Sequence, residues 1–217
     1  MTSWMVLHDN VYQAALHSSI PMNSANAYGQ FRDHIGGSLY QWRSEATVVE
    51  KLGAAFFFAT LTALAGQVRF FLPFTPVPFT GQVLVVLLAA MVIGRYGVIS
   101  QLMFIGMAGT FGWFTGMVGF AALAGITGGY LLGFLVAAFF LGEIVERRNG
   151  MGHGQILLAM LAADAMILAL GSLQLGLVLQ KDLVTAFMLG FVPFVAIDAF
   201  KVIMASSIAS VLIPSKH

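Results

Sequence analysis

The chain contains no cysteine and few charged residues. Without Cys among its 217 residues, a disulfide framework, a thiolate metal site and a cysteine nucleophile are all excluded. Charged residues make up only 9%, whereas apolar residues make up 59% and the mean hydropathy is +0.90. Because a soluble domain carries about 25% charged residues, this composition indicates an integral membrane protein surrounded by lipid.

Nucleotide-binding and catalytic motifs are absent as well. No lysine follows a glycine, so a phosphate-cradling loop of the G-x-x-x-x-G-K type is excluded, and any ATP-driven step must come from another chain. There is no His-Glu pair, no Gly-Asp dipeptide and no G-x-S-x-G elbow, which argues against an intramembrane hydrolase. The chain is therefore predicted not to be an enzyme, with no cofactor, no metal and no nucleic-acid partner.

Apolar stretches of about 20 residues, the length that crosses a bilayer, divide the chain into membrane spans. Proline is scarce, and three of the six prolines fall in residues 73–78, where they stop the first stretch. A glycine-rich run at 112–129 divides the uncharged stretch 96–142. The predicted fold is all-α, an integral membrane six-helix bundle with spans at residues 52–71, 80–94, 96–113, 127–145, 154–178 and 193–213, and with a surface helix at 182–189.

Residues 1–50 are polar and are predicted to form a loosely ordered cytoplasmic extension before a membrane domain at 51–217. Trp4, Val6 and Leu7 leave an interfacial helix as the alternative for part of this extension. Three of the five histidines lie in this segment, but without regular spacing they do not predict a metal site.

Basic residues are distributed unequally between the two ends of the predicted spans. Cytoplasmic loops collect Lys and Arg, so the distribution predicts a multi-pass protein with both termini in the cytoplasm. On this topology Arg69 and Lys181 lie outside and Lys201 lies within the membrane. The cytoplasmic set is Arg32, Arg43, Lys51, Arg95, Arg147, Arg148 and Lys216.

Asp198 and Lys201 are the charged residues of the last span. A charge inside a bilayer costs roughly 2.5–3.5 kcal/mol on insertion scales, and a spacing of three puts both side chains on one helical face. Two interpretations are open: an ion pair that satisfies itself, or part of a pocket for a zwitterionic or carboxylated solute. Asp164, in the middle of the fifth span, is interpreted as a buried hydrogen-bonded or protonated carboxyl rather than a proton relay.

The first span carries a stripe of small residues, with Ala55, Ala59 and Ala63 recurring every fourth position. In lipid, small residues let another helix approach closely. This stripe is either a docking face for a partner or a packing face within the chain's own bundle.

Three sequence runs together resemble one family. Residues 73–90 (PFTPVPFTGQVLVVLLAA), 127–134 (TGGYLLGF) and 192–201 (VPFVAIDAFK) are similar, in order and spacing, to the BioY family. Members of that family are the biotin-binding S components of energy-coupling-factor (ECF) transporters. The chain departs from the family pattern at Ile126 and at residues 196–197, where the family commonly has Pro and Pro-Gly.

The resemblance implies the S-component fold and biotin bound near the outer surface beneath the loop between the first two helices. It also implies a transmembrane T component and ABC-type ATPases as partners in a prokaryotic inner membrane, with the alanine stripe as the T-component contact. The implied substrate-binding residues are Asp198, Lys201, Thr80, Gln82, Gly128, Gly129 and Tyr130, with Trp113 and Phe114 as further candidate walls. The alternative is a stand-alone facilitator or channel for biotin or another vitamin.

Overall fold

The computed structural model of the protein describes residues 24–112, 119–148 and 150–213. Apart from two short strands and one 3₁₀ helix (Gly119–Ala124), the regular structure of this part is α-helical. The helices are α1 (Ser24–Glu45), α2 (Val48–Ala65), α3 (Gln82–Ile93), α4 (Tyr96–Phe111), α5 (Gly128–Arg147), α6 (His153–Leu179), α7 (Leu183–Gly190) and α8 (Val192–Leu212).

Six of these helices correspond to the six predicted spans. By length and composition, α2, α5, α6 and α8 are each sufficient to cross a membrane. The helix α3 has 12 residues, about 18 Å at 1.5 Å per residue, which is less than a hydrocarbon core of about 30 Å. Most of its residues are buried, so α3 is a central helix enclosed by its neighbours.

The first membrane helix, α2, ends earlier than predicted. It begins with a capping box, in which the backbone N–H of Glu50 donates to Thr47 Oγ1 and the Thr47 N–H donates to the Glu50 carboxylate. It ends at Ala65, not at residue 71, because residues 69–70 leave the helix to form a strand. This strand, β1 (Arg69–Phe70), pairs antiparallel with β2 (Phe79–Thr80) across the proline-containing loop.

Close approach between α5 and α6 forms the most extensive helix contact in the bundle. Glycines make it possible: a Cβ on Gly133 would lie 2.7 Å from the Cα of Ile167, and a Cβ on Gly129 would collide with the carbonyl oxygen of Leu170. In lipid, such backbone proximity supplies the dispersion contacts that hold helices together.

The alanine stripe does not form a partner surface in this structure. Ala55, Ala59 and Ala63 are 0%, 0% and 3% exposed, and α2 packs mainly against α4 and α3 of the same chain. The stripe thus faces the chain's own bundle, as the packing alternative predicts, because small side chains turned inward bring neighbouring helices together. Its role as a docking face stays a prediction.

Part of the N-terminal extension is helical, which differs from the loosely ordered tail expected for residues 1–50. Residues Ser24–Glu45 form α1, which contacts α8, and Arg43 Nη1 donates to the carbonyl oxygen of Met91 at 3.5 Å. The sequence of this helix has apolar residues at helical spacing: Phe31, Ile35, Leu39 and Trp42. The expected boundary after residue 50 falls within α2, and residues 1–23 lie outside the described part.

The up-and-down course of the helices gives the bundle two ends. The loop end holds residues 66–81 and 180–191, and the basic end holds Arg43, Lys51, Arg95 and Arg147. Asp198 and Lys201 lie in the first turns of α8, near the loop end.

Candidate functional site

Asp198 and Lys201 form an ion pair inside the bundle. Lys201 Nζ donates to Asp198 Oδ1 at 2.6 Å, and their side chains are 14% and 1% exposed. Both project from one face of α8, as their spacing of three predicts. An ammonium group has three donors, and Asp198 takes one, so Lys201 keeps donors for another acceptor. The pair neutralises itself without using all of its hydrogen-bonding capacity.

A cavity of about 60 Å³ opens directly on this pair. Four helices and the proline-containing loop contribute to its wall, which is largely apolar with a few polar groups. This combination is typical of small-molecule sites. The lining residues are Gly66, Val77, Pro78, Thr80, Gln82, Val83, Thr127, Tyr130, Leu131, Phe134, Leu168, Phe194, Asp198 and Lys201.

The roof of the cavity is the loop between α2 and α3, and two contacts hold it down. Thr75 Oγ1 donates to the carbonyl oxygen of Leu189 at 2.7 Å and accepts from the backbone N–H of Val77 at 3.2 Å. Phe79 stacks on Phe194, with ring centroids 4.2 Å apart and planes 15° apart. The roof is therefore attached to the end of α7 and the start of α8.

Polar groups on the wall are already oriented by local hydrogen bonds. Thr80 Oγ1 donates to Gln82 Oε1 at 3.2 Å and accepts from the Gln82 backbone N–H at 3.4 Å. The Gln82 amide lies against Gly66, where a Cβ would come within 2.7 Å of Nε2. Tyr130 donates its hydroxyl hydrogen to the carbonyl oxygen of Gly190 at 2.7 Å. These side chains are held in place before any ligand arrives.

Five predicted site residues meet at this cavity: Thr80, Gln82, Tyr130, Asp198 and Lys201. Gly128 and Gly129 are not part of its lining. They are buried where α5 begins, and a Cβ on either would collide with a backbone carbonyl, of Leu123 or of Leu170 respectively. This close packing explains why both positions are glycine, and their predicted role in substrate binding stays a prediction. Trp113 and Phe114 lie outside the described residues.

Sequence reasoning missed several residues of the site. Thr75, which fastens the roof, and Phe194, which supports it, drew no attention because their partners are distant in sequence. The last span, predicted to begin at residue 193, begins one residue earlier at Val192, and this helix start could have directed attention to the neighbouring Phe194.

Asp164 lies behind the ion pair, on α6. It is 5% exposed, and within the described part of the chain its Oδ1 has no hydrogen-bond partner. Asp164 interacts electrostatically with Asp198 and Lys201. The two carboxylates repel each other and Lys201 attracts both. Asp164, Asp198 and Lys201 therefore form one buried electrostatic cluster.

Comparison with known structures identifies the class to which this fold belongs. The fold resembles that of a solved structure, the S-component for biotin from an ECF-type ABC transporter, with a TM-score of 0.68 at 23% identity, covering 75% of this chain and 89% of that one. The predicted all-α six-helix bundle of the S-component type is confirmed. The protein is thus a polytopic membrane protein with an S-component fold.

The sequence matches the model of the BioY family over residues 39–216, and the chain belongs to that family. Curated relatives include "Biotin transporter BioY" of Thermotoga maritima, which is 38% identical over 143 residues, covering 64% of this chain and 82% of the relative. Another, "Biotin transporter BioY" of Rhizobium etli, is 32% identical over 167 residues, covering 70% of this chain and 86% of the relative. The resemblance inferred from the three sequence runs is confirmed.

Proposed function

We propose that this protein is the biotin-binding membrane subunit of a vitamin uptake transporter. The observation that carries the proposal is the buried Asp198–Lys201 pair, which opens on a partly apolar cavity in a member of the BioY family. A buried pair of charges is costly unless its remaining hydrogen-bonding groups find partners. A ligand with complementary polar groups would supply them.

The ureido group of biotin is the part that best complements this pair. It presents N–H donors beside a carbonyl acceptor, while Asp198 and Lys201 present an acceptor beside a donor, 2.6 Å apart. A carboxylate in the same place would gain from Lys201 but would be repelled by Asp198. We therefore orient the ureido ring toward the pair and the valerate tail toward the loop end, with the apolar thiophane ring between Phe134 and Phe194 on the wall.

Binding would require the roof to move. The cavity of about 60 Å³ is far smaller than the 300–1,000 Å³ of typical pockets for drug-sized ligands. The contacts that close it are few: the hydrogen bond from Thr75 to Leu189 and the stacking of Phe79 on Phe194. In this proposal these contacts break when the loop moves outward to admit biotin, and they form again when the loop closes over it.

A competition experiment tests the proposed ligand and its orientation. Purified protein is loaded with radiolabelled biotin and challenged with desthiobiotin, biotinamide and lipoate. Desthiobiotin and biotinamide keep the ureido group and should displace biotin, whereas lipoate has the carboxylate without the ureido group and should not. Displacement by lipoate but not by biotinamide would reverse the orientation, and failure of biotin itself to bind would refute the function.

The setting of this function is proposed to be a prokaryotic inner membrane, with the basic end and both termini in the cytoplasm. Arg43, Lys51, Arg95 and Arg147 lie at the basic end, whereas Arg69 and Lys181 lie near the loop end, in keeping with the positive-inside rule. Energy would come from a T component and ABC-type ATPases, since this chain has no nucleotide-binding loop. Contact of the alanine stripe with the T component would require α2 to expose Ala55, Ala59 and Ala63, which pack against α3 and α4 in this structure.

One observation favours the stand-alone facilitator as a second candidate. Ala55, Ala59 and Ala63, which the family resemblance places at the T-component contact, are buried on α2, and α2 packs against α3 and α4 of the same chain. Proteoliposomes containing this protein alone, without ATP, distinguish the two. Biotin should be bound but not accumulated if partners are required, whereas equilibration of biotin across the membrane by this protein alone would support the facilitator.

A further inference from the structure

A second, larger cavity lies at the basic end, opposite the biotin site proposed above. Its volume is about 380 Å³. The C-terminal part of α1 forms one side, and the ends of α2, α3, α4 and α5 form the rest. The side chains that matter for its chemistry are Tyr40, Arg43, Lys51, Arg95, Tyr96 and Glu146.

The carboxylates near this cavity are already engaged. Arg95 contacts Glu143 through Nε at 2.7 Å and Nη2 at 2.9 Å, and Arg147 Nε donates to the same carboxylate at 2.6 Å. Glu146 accepts from the backbone N–H of Arg95 at 2.7 Å, and its other oxygen lies 3.1 Å from Arg95 Nε. Consequently Arg95 and Arg147 are balanced by Glu143 and Glu146.

Arg43 and Lys51 are the two cations that remain. Within the described residues, neither forms an ion pair with a carboxylate: Arg43 donates a long hydrogen bond to the Met91 carbonyl oxygen at 3.5 Å, and Lys51 Nζ lies 5.8 Å from the centroid of the Tyr96 ring. Burial lowers the pKa of Arg43 more than Glu146 and Tyr40 raise it. The cavity therefore has a surplus of two positive charges.

We propose that this cavity binds a phosphate-bearing anion between Arg43 and Lys51. A guanidinium recognises phosphate oxygens in a bidentate manner and an ammonium adds a point charge, and together they match the surplus. The volume lies within the range of small-molecule pockets, about 300–1,000 Å³. Tyr40 and Tyr96 on the rim are residues typical of the membrane interface, where anionic lipid headgroups and soluble phosphates are both accessible.

The first arm of the test uses a lipid. Full-length protein is purified in detergent, exposed to phosphatidylglycerol or phosphatidylcholine, and examined by native mass spectrometry for retained lipid. Wild type should retain phosphatidylglycerol selectively, and Arg43→Gln/Lys51→Gln should retain at least about tenfold less, since both cations proposed to hold the phosphate are removed. The matched control, Arg69→Gln/Lys181→Gln, removes two positive charges at the loop end and should behave like wild type.

The second arm uses inorganic phosphate, followed as a rise in the unfolding temperature of wild type and of both double variants. If only Arg43→Gln/Lys51→Gln loses phosphatidylglycerol retention, the ligand is a lipid headgroup. If only that variant loses the stabilisation by phosphate, the ligand is a soluble anion. Equal behaviour of the two double variants in both arms overturns the proposal. If the double variant does not fold, Lys51→Gln alone replaces it, because within the described residues the Lys51 side chain forms no hydrogen bond or ion pair that the substitution would break.

Discussion

Replacing Lys201 by methionine separates the electrostatic role of the ion pair from its packing. Methionine keeps most of the volume of the lysine stem but removes the ammonium group that lies 2.6 Å from Asp198 Oδ1. Asp198, 1% exposed, would then be a buried carboxylate without its counter-ion. Breaking a buried pair in this way costs about 3–5 kcal/mol of stability. We expect Lys201→Met to lower the unfolding temperature markedly.

The same substitution should weaken biotin binding. Loss of a hydrogen bond to a charged group removes about 1.5–3 kcal/mol, which corresponds to a roughly tenfold to hundredfold higher Kd. Equilibrium binding of radiolabelled biotin to the purified variant measures this effect, and thermal unfolding in the same detergent measures stability.

The double variant Asp198→Asn/Lys201→Met provides the matched control. It leaves no unpaired charge, so most of the lost stability should return, because replacing both members of a buried pair is far milder than removing one. Binding should stay weak, since the acceptor–donor arrangement is gone. The reasoning is refuted if Lys201→Met is as stable as wild type and binds biotin equally well.

Three further predictions concern the surroundings of the site. Thr75→Val removes the hydrogen bond to Leu189, worth about 1 kcal/mol, and should speed biotin release several-fold in a chase experiment; an unchanged release rate would contradict the roof assignment. Gly129→Ala should destabilise the protein by about 1–3 kcal/mol in thermal unfolding through overpacking. Gly154→Ala, where a Cβ meets nothing within 4 Å, should be neutral or stabilising, and equal losses for both would refute this account. Asp164→Asn should leave biotin uptake into cells intact, and loss of uptake with binding preserved would indicate proton transfer instead.

Local sequence signals predicted the elements of this protein well because membrane helices are governed by local properties. Hydropathy over about 20 residues marks a span, proline marks its end, and a spacing of three places Asp198 and Lys201 on one face. Two elements were not predicted because their sequence signals are weak. The strand at residues 69–70 was missed because its partner at 79–80 lies across a turn, and α1 was missed because its apolar residues are spread thinly through a polar segment.

How the helices turn toward one another was decided by tertiary structure. The alanine stripe on α2 would suit an external partner or an internal neighbour equally well, and only the rotation of α2 about its axis directs it inward against α4 and α3. Gly128 and Gly129 likewise pack closely, since a Cβ on either would meet backbone of the 3₁₀ segment or of α6.

The amino-acid sequence by itself determined the membrane class, the six segments predicted to span the membrane, the family and the placement of Asp198 and Lys201 on one helical face. The cavity was decided by the tertiary structure, because its parts come from distant segments: Thr75 fastens the roof to a carbonyl 114 residues away, and Phe79 stacks on Phe194. Hydrophobicity and helical periodicity act over neighbouring residues. Contacts between remote residues depend on how all the helices pack together, which no single stretch of sequence specifies.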